Sequence, residues 1–389
     1  MPGTDLPLFQ LKGKHLLPIV QGGMGVGISA HRLAGAVAKA GAVGTIASID
    51  LRHHHSDLVE QGRRCRDHAV LDRLNLTALD REVKAALDTA GGRGMVAVNV
   101  MKAVSGNAAL TLQACESGAE AIVMGAGLPL DLPELTRDFP RVALVPILSD
   151  VRGINVILKK WMRKNRLPDA IVIEHPRYAG GHLGAPKPEE MNDPRFDFPA
   201  VLEGTQRLFK ELEIERERIP LIPAGGINSH EKIRKLLALG ASAVQLGTPF
   251  AVTEEGDAHP NFKKVLAEAK PEDIVTFISA AGLPARAVLT PWLKNYLKRE
   301  HKLQAGAKSG EDRCTTSLQC LIQCGLRDGL AKFGQFCIDS QLTAALRGEV
   351  SKGLFFRGSE SLPFGSAIRP VRELIEYLLT GRKPALSAS

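Results

Sequence analysis

Aromatic side chains are scarce in this sequence of 389 residues, which contains three tyrosines, two tryptophans and 13 phenylalanines. Proteins that bind single-stranded nucleic acid commonly stack the bases on such rings. The formal net charge of +8 is modest for this length, and the basic residues are spread rather than massed. Scattered basic clusters are usually solvated helix faces. We therefore expect no nucleic-acid partner, although the positive charge would attract an anionic substrate or cofactor.

The sequence also lacks a long uninterrupted apolar run. Its most apolar stretch, residues 33–49, is broken by Lys39 and by several small residues, which is typical of a buried helix leading into a strand rather than a membrane span. The N-terminus shows no basic segment followed by an apolar one, so it does not resemble a signal peptide. With six cysteines and no export signal, we expect a cytoplasmic protein with reduced thiols and no disulfide framework.

Eight short apolar runs recur along the first two thirds of the chain, with helical segments between them. Near-continuous apolar runs are expected of parallel strands that are covered on both faces. Helical material in the gaps fits crossover connections between such strands. The strands are predicted at residues 17–20, 43–46, 96–99, 121–124, 143–147, 170–174, 219–223 and 243–246, and helices at 30–39, 79–89, 154–166 and 230–239.

This alternation predicts an α/β protein, and eight βα units over about 250 residues favour a closed (β/α)8 TIM barrel over an open doubly wound sheet. No Gly-x-Gly-x-x-Gly turn opens the first helix, as a dinucleotide-binding sheet would require. We predict a barrel over residues 1–255. Strand signals stop after about Glu255, so residues 256–389 are predicted to form a mainly helical C-terminal extension that carries a cysteine cluster.

In a TIM barrel the chemistry lies at the carboxyl ends of the strands, and the candidate motifs all follow predicted strands. The most distinctive is Ala179-Gly-Gly-His-Leu-Gly184. Its glycines let the backbone pass close to a flat ligand, and His182 can move a proton at cellular pH. The same stretch alone is equally compatible with a flexible turn around a solvated imidazole. The convergence of several such loops favours a bound cofactor.

The loops after the last two predicted strands, Pro223-Ala-Gly-Gly-Ile-Asn228 and Gln245-Leu-Gly-Thr248, indicate a phosphorylated ligand. Barrels commonly bind phosphate at this position with backbone N–H groups. The early loop Gln21-Gly-Gly-Met24 and the amide of Asn99 would contact a planar ring at the other end of that ligand. Flavin mononucleotide (FMN) fits this arrangement, because it has a phosphate group at one end and a planar ring system at the other. A sugar phosphate is an alternative, whereas pyridoxal phosphate needs a Schiff-base lysine, and no lysine ends a predicted strand.

Taken together, Pro18-Ile-Val-Gln-Gly-Gly-Met24, Ala179-Gly-Gly-His-Leu-Gly184, Ile222-Pro-Ala-Gly-Gly-Ile227 and Val244-Gln-Leu-Gly-Thr248 resemble the motifs of the nitronate monooxygenase (2-nitropropane dioxygenase-like) family. That family includes FMN-dependent enoyl-acyl-carrier-protein reductases and NADH:quinone reductases. The resemblance covers about the first 255 residues and implies an FMN-binding TIM barrel with His182 as the catalytic residue that faces the flavin. By the same resemblance, FMN would be contacted by Gly22, Gly23, Met24, Asn99, Gly181, Ala224, Gly225, Gly226, Gln245, Gly247 and Thr248.

The resemblance implies a flavin-dependent oxidoreductase that acts on a small molecule, most simply a monooxygenase that converts alkyl nitronates to a carbonyl compound and nitrite with O₂. The alternative is an NAD(P)H-dependent reductase of a quinone or an enoyl thioester. A barrel that binds a flavin or phosphate without turnover is the third interpretation. The sequence leaves open the physiological substrate and the oligomeric state.

Two further features of this sequence differ from the pattern of the family it resembles, and the first is absent from the shorter family members. Cys314, Cys320, Cys324 and Cys337 lie close together in the sequence, and clustered thiolates can hold an Fe–S centre or zinc. The absence of a Cys-x-x-Cys pair favours ordinary buried thiols instead. The second departure is Glu174 followed by His175, for which a solvated loop is favoured over a second acid–base pair.

Overall fold

A short antiparallel hairpin precedes a closed barrel of eight parallel strands in the computed structural model, which describes residues 4–310, 313–314 and 320–384. The hairpin consists of β1 (Phe9–Leu11) and β2 (Lys14–Leu16). The barrel strands are β3 (Ile19–Gln21), β4 (Val43–Ala47), β5 (Met95–Met101), β6 (Ala121–Gly125), β7 (Ala143–Leu148), β8 (Ile171–Glu174), β10 (Leu221–Ala224) and β11 (Val244–Leu246), and β9 (Gly181–His182) lies outside them. All eight predicted strands are confirmed.

The barrel closes because its strands pair in chain order, and β11 returns to pair with β3. Within each strand, alternate side chains face the interior. The inner cluster consists mainly of valine and alanine, for example Ala97, Val145 and Val172. Phe9 and Leu11 of the hairpin belong to the same cluster, so the hairpin covers the end of the barrel where the strands begin.

Helices surround the barrel and bury their apolar faces against its outer side. They are α1 (His31–Lys39), α2 (Ser56–Gln61), α3 (His68–Ala90), α4 (Asn107–Glu116), α5 (Leu132–Leu135), α6 (Val151–Met162), α7 (Phe198–Glu211), α8 (His230–Ala238) and α9 (Thr248–Ala251). Capping residues fix several of their starts: Asp67 accepts a hydrogen bond from Ala69 N, and Asp150 accepts one from Gly153 N, as expected of N-cap carboxylates. None of the described helices is both long and apolar enough to cross a lipid bilayer.

The remaining elements are α10 (Pro260–Glu268), β12 (Ile274–Ile278), β13 (Pro284–Val288), α11 (Pro291–Ala305), α12 (Gly325–Asp328), α13 (Ile338–Leu346) and α14 (Val371–Thr380). The C-terminal extension is therefore largely helical, as expected. The expectation that no strand follows Glu255 is wrong. β12 and β13 pair with each other and then with β9, forming a small antiparallel sheet between the extension and the His182 loop.

The last helix returns to the barrel. α14 packs against α1 and α8, and its buried residues Leu374, Ile375 and Leu378 belong to the same cluster as the outer side of the barrel. The outer ring of helices is thus completed by a segment from the far end of the chain. The division of the chain into domains at residue 255 stays a prediction.

Candidate active site

A cavity of about 310 Å³ opens at the carboxyl ends of the barrel strands. Its wall includes His182 and every residue that the sequence predicts to contact FMN. These are Gly22, Gly23, Met24, Asn99, Gly181, Ala224, Gly225, Gly226, Gln245, Gly247 and Thr248. The fold therefore brings together residues from the ends of five different barrel strands and the loops that follow them.

The floor of the cavity is formed by side chains that continue the inner face of the barrel. Ala97 and Ala243 belong to the inner cluster, and Asn99 and Gln245 follow two residues later on the same strand faces. Asn99 Nδ2 donates to Val123 O at 3.3 Å. In the described part of the chain, the Gln245 amide has no hydrogen-bond partner, although it is only 8% exposed. Its polar atoms are thus available to a ligand in the cavity.

The loop after β3 approaches this floor so closely that it must be built from glycine. A β-carbon at Gly23 would overlap Cβ of Asn99, and one at Gly22 would lie 3.2 Å from the amide of Gln245. Met24 N donates a hydrogen bond to Ser29 Oγ at 2.9 Å, and Ser29 N donates one to Met24 O at 3.0 Å. The loop is therefore held in place by its own hydrogen bonds.

Two further glycine loops form the opposite wall. Gly225 and Gly226 have φ angles of +99° and +74°, a region that favours glycine, and a β-carbon at Gly226 would lie 2.8 Å from Tyr178. Thr248 Oγ1 accepts a hydrogen bond from Gly358 N at 3.1 Å. Segment 356–362 of the C-terminal extension therefore closes this part of the cavity, which the sequence did not indicate.

His182 is held by the small sheet and is not in a flexible turn. It pairs with Ala285 of β13, and Leu183 N donates to Pro284 O at 2.8 Å. Nε2 of the half-buried ring lies 3.0 Å from Ser279 Oγ. Ser279 Oγ, which also accepts the Ala281 N–H at 3.2 Å, can accept the Nε2 proton of His182, and in that tautomer Nδ1 is the ring nitrogen that can accept a proton. Burial lowers the pKa of His182 to about 4, so the ring is neutral at pH 7.

Glu174 and His175 do not form a solvated loop, and that expectation is wrong. Glu174 ends β8 and lines the cavity, where burial raises its pKa to about 7. His175 is 2% exposed and points away from the cavity, with Nε2 3.2 Å from Asp197 Oδ1. Both residues are polar, and the strands were predicted from runs of apolar residues. That pattern therefore gave no indication that Glu174 and His175 are buried.

The sequence also missed Ser279, the hydrogen-bonding partner of His182. Ser279 is fully buried just after β12. It is 97 residues from His182 along the chain, and no local pattern marks it. Only the pairing of β9 with β13 brings the two side chains together.

The four clustered cysteines lie apart from the cavity wall. Burial raises the pKa of the Cys320 thiol, and the neighbouring Asp339, Cys337, Cys324 and Cys314 raise it further. Within residues 4–310, 313–314 and 320–384, no three or more histidine, cysteine or acidic side chains are arranged to hold a metal ion.

Comparison with known proteins decides the family. The sequence model of the nitronate monooxygenase family matches residues 10–381. The chain belongs to this family. The match includes the C-terminal extension as well as the barrel, and membership makes the chain a flavin-dependent oxidoreductase of the nitronate monooxygenase type.

Individual relatives agree with this assignment. The chain is 26% identical over 291 residues to a probable nitronate monooxygenase of Bacillus subtilis, a match that covers 71% of this chain and 78% of the relative. It is 34% identical over 110 residues to a nitronate monooxygenase of Pseudomonas aeruginosa, which covers 28% of this chain and 29% of the relative.

Solved structures share the fold. FabK from Thermotoga maritima matches with a TM-score of 0.60 and 21% identity, covering 93% of this chain and 91% of that one. Nitroalkane oxidase from Streptomyces ansochromogenes matches with a TM-score of 0.62 and 20% identity, covering 93% of this chain and 94% of that one. Both solved structures thus share the fold of the chain along the barrel and the extension.

Proposed function

We propose that this protein binds FMN in the cavity and oxidises alkyl nitronates to a carbonyl compound and nitrite with O₂. The observation that carries the proposal is the position of His182. A neutral imidazole is fixed by Ser279 in the wall of a cavity whose other walls are glycine loops suited to a flat phosphorylated ligand. The small-molecule substrate and the flavin would share this cavity.

The residues present fit FMN. The unpartnered amide of Gln245 and the amide of Asn99 offer donors and acceptors to the polar edge of the ring system. Gly22 and Gly23 leave the ring space that side chains would fill. When bound, FMN accepts electrons from the substrate and passes them to O₂.

The phosphate group would bind between the loops at Gly225-Gly226 and Gly247-Thr248. Lys232 supports the first loop, since its Nζ donates to Gly226 O at 2.8 Å and pairs with Glu360 at 2.8 Å. Thr248 is tied to Gly358 of the extension. The backbone of these loops can therefore be rigid before the ligand arrives, which reduces the entropy lost on binding.

His182 handles the proton of the substrate. Its neutral ring can accept the proton on the carbon next to the nitro group of a neutral nitroalkane, or it can orient a nitronate that arrives as an anion. An anion beside the ring raises the imidazole pKa, so proton transfer and anion binding favour each other. Apolar side chains such as Ile49, Leu342 and Phe356 line the same cavity and exclude water from the reaction.

The test is to mix the purified yellow holoprotein anaerobically with propane-2-nitronate and, separately, with NADH or NADPH. We expect the nitronate to bleach the flavin absorbance, and admitted O₂ to restore it with release of nitrite. Bleaching by NAD(P)H but not by nitronate would assign the protein to the reductases instead. A colourless protein that cannot be reconstituted with FMN would contradict any flavin-dependent activity.

The variant His182→Asn should keep FMN bound and lower turnover about 100-fold or more, since a positioned general base typically contributes a factor of this size. The loss should be larger for a neutral nitroalkane, which needs deprotonation, than for the preformed nitronate. Turnover and flavin content are measured together, with the exposed His15→Asn as the control. Loss of FMN from His182→Asn alone would show that His182 is structural.

Three finer predictions remain. An Fe–S or other metal centre on Cys314, Cys320, Cys324 and Cys337 is supported only by their clustering. Iron analysis and electron paramagnetic resonance of anaerobically purified protein test it, and substoichiometric iron with a silent reduced sample would contradict it.

The use of NAD(P)H as a partner is tested by the anaerobic mixing above. The cytoplasmic location is tested by cell fractionation.

A further inference from the structure

We propose that Glu174 is a specificity-determining residue of the cavity, whose neutral carboxyl group donates a hydrogen bond to an anionic oxygen of the substrate and whose ionised form repels it. The inference rests on the proposed function, because a nitronate carries its negative charge on the two oxygens bound to nitrogen. It assigns a role to a carboxyl group that the mechanism with His182 leaves unused.

The position of Glu174 supports direct contact with a ligand. It is the last residue of β8 and pairs with Ala224 of β10, another residue of the cavity wall. Val172, two residues earlier, faces the barrel interior, so the Glu174 side chain continues that face into the cavity. In the described part of the chain, its carboxyl group accepts and donates no hydrogen bond. A polar group in this setting is costly to leave without a partner.

Gly184, on the loop that carries His182, lies close to the Glu174 carboxyl group. A β-carbon at Gly184 would overlap Ser149 Oγ and would lie 3.9 Å from Glu174 Oε2. The loop that carries His182 therefore crosses directly beside Glu174. Glu174 and His182 are thereby placed on adjacent segments of the cavity wall, where both can contact one small substrate.

The surrounding charges do not neutralise Glu174. The titratable or charged groups on the elements packed around it are His182 on β9, His175 next to β8, Asp150 at the start of α6 and Arg286 on β13. Segment 356–362 adds Arg357 and Glu360 to the cavity wall. The neighbouring ends of β7 and β10 contribute only apolar side chains.

Each of these groups is neutral or has another partner. His182 is neutral at pH 7 because burial lowers its pKa to about 4. His175 faces Asp197, and Asp150 caps α6 through Gly153 N. Arg286 Nη1 donates to the carbonyl groups of Pro176 and Ala179. Arg357 donates to the carbonyl groups of Leu266, Gly358 and Glu360, and the Glu360 carboxylate pairs with Lys232. None of these cations is paired with the Glu174 carboxyl group, and burial raises its pKa to about 7.

The sign of the pH dependence follows from this raised pKa. Below pH 7 the carboxyl group is mostly protonated and can donate a hydrogen bond to an anion. As the pH rises through about 7, the group ionises, and the affinity for an anion should fall by up to about tenfold for each further pH unit. His182 does not titrate in this range in the free enzyme, so it does not produce the same dependence.

The experiment titrates the FMN-loaded enzyme with nitrate, a planar anion whose oxygens are bound to nitrogen as in a nitronate. Binding is followed by the perturbation of the flavin absorbance between about pH 5.5 and pH 9, a range centred on the titration of interest. KM and kcat for propane-2-nitronate are measured over the same range. We expect the wild-type Kd for nitrate and the KM to rise above pH 7, with little change in kcat.

Three variants decide the result. Glu174→Gln keeps a hydrogen-bond donor without a charge, so its Kd should stay near the acidic wild-type value at every pH. Glu174→Ala lacks the donor and should bind nitrate more weakly at all pH values, without the slope. Glu203→Gln removes a carboxylate that is 70% exposed on α7 and should follow the wild type. Flavin content and melting temperature are recorded for each.

A wild-type slope in Glu174→Gln would overturn the proposal, as would a wild-type enzyme that binds no nitrate at any pH. Failure of the proposed function looks different. In that case the enzyme would not oxidise nitronates, yet nitrate binding would still weaken above pH 7 in the wild type and not in Glu174→Gln. The two ideas can thus be separated by one set of titrations.

Discussion

At the scale of single residues, the site combines positions that the sequence predicts with positions that it hides. The glycines and His182 stand out because each follows an apolar strand. Glu174 and Ser279 have no such signal. Glu174 appears polar at the end of a strand, and Ser279 reaches His182 only through a pairing between distant segments. The chemistry of a side chain can be predicted from its type, but its partner depends on the fold.

The backbone at Gly23 lies so close to Asn99 that a side chain at this position should interfere with FMN binding. Gly23→Ala should reduce the flavin content of the purified protein severely, because the added methyl group overlaps Asn99 and must displace a residue of the cavity floor. The measurement is the ratio of FMN to protein after purification and after attempted reconstitution.

The matched control for this substitution is Gly106→Ala, where an added β-carbon meets no atom within 4 Å. That variant should bind FMN as the wild type does. Full flavin content in Gly23→Ala would show that the loop can move away from Asn99 without cost.

At the scale of elements, the barrel strands were predictable and the small sheet was not. Strands that are buried on both faces are necessarily apolar runs, whatever their neighbours are. β13 has the sequence Pro-Ala-Arg-Ala-Val, in which a proline and an arginine obscure the pattern. Its partner β9 contains only two residues. Such a sheet is specified by contacts between segments rather than by either segment alone.

Arg286 ties this sheet to the loop that leads to His182. Arg286→Met should lower the free energy of unfolding by about 1–3 kcal/mol, because it leaves the buried carbonyl groups of Pro176 and Ala179 without their donor. Chemical denaturation of the apoprotein measures this change, and we also expect weaker retention of FMN.

For comparison, Arg207→Met removes a surface ion pair with Glu203 in which both side chains are largely exposed. It should change the free energy of unfolding by less than about 1 kcal/mol. Equal stability of the two variants would mean that the β9–β13 pairing holds the loop without Arg286.

At the scale of the whole molecule, the C-terminal extension packs against the barrel. Membership of the family extends to residue 381, and the structure gives a physical reason. α14 covers the barrel between α1 and α8, and segment 356–362 lines the cavity. The sequence predicted a mainly helical extension, but not where its helices pack, because an apolar stripe identifies a buried face without identifying the surface that covers it.

Packing of α14 can be tested by Leu378→Ala, which should lower the free energy of unfolding by about 2–5 kcal/mol, the usual cost of truncating a fully buried leucine. Leu378 is 0% exposed, whereas Leu239 on the neighbouring α8 end is 44% exposed. Leu239→Ala should therefore change the stability by less than about 0.5 kcal/mol. A small effect in both variants would contradict the role of α14 as part of the helical layer outside the barrel.

The hydrogen bond between Thr248 and Gly358 has a consequence for how the protein is made. The ribosome completes the glycine loops of the barrel long before it adds the segment that closes the cavity beside them. A nascent chain that ends before residue 358 therefore lacks one wall of the site, even if its strands have already paired. Cofactor loading would then be a late event in biogenesis, after synthesis of segment 356–362.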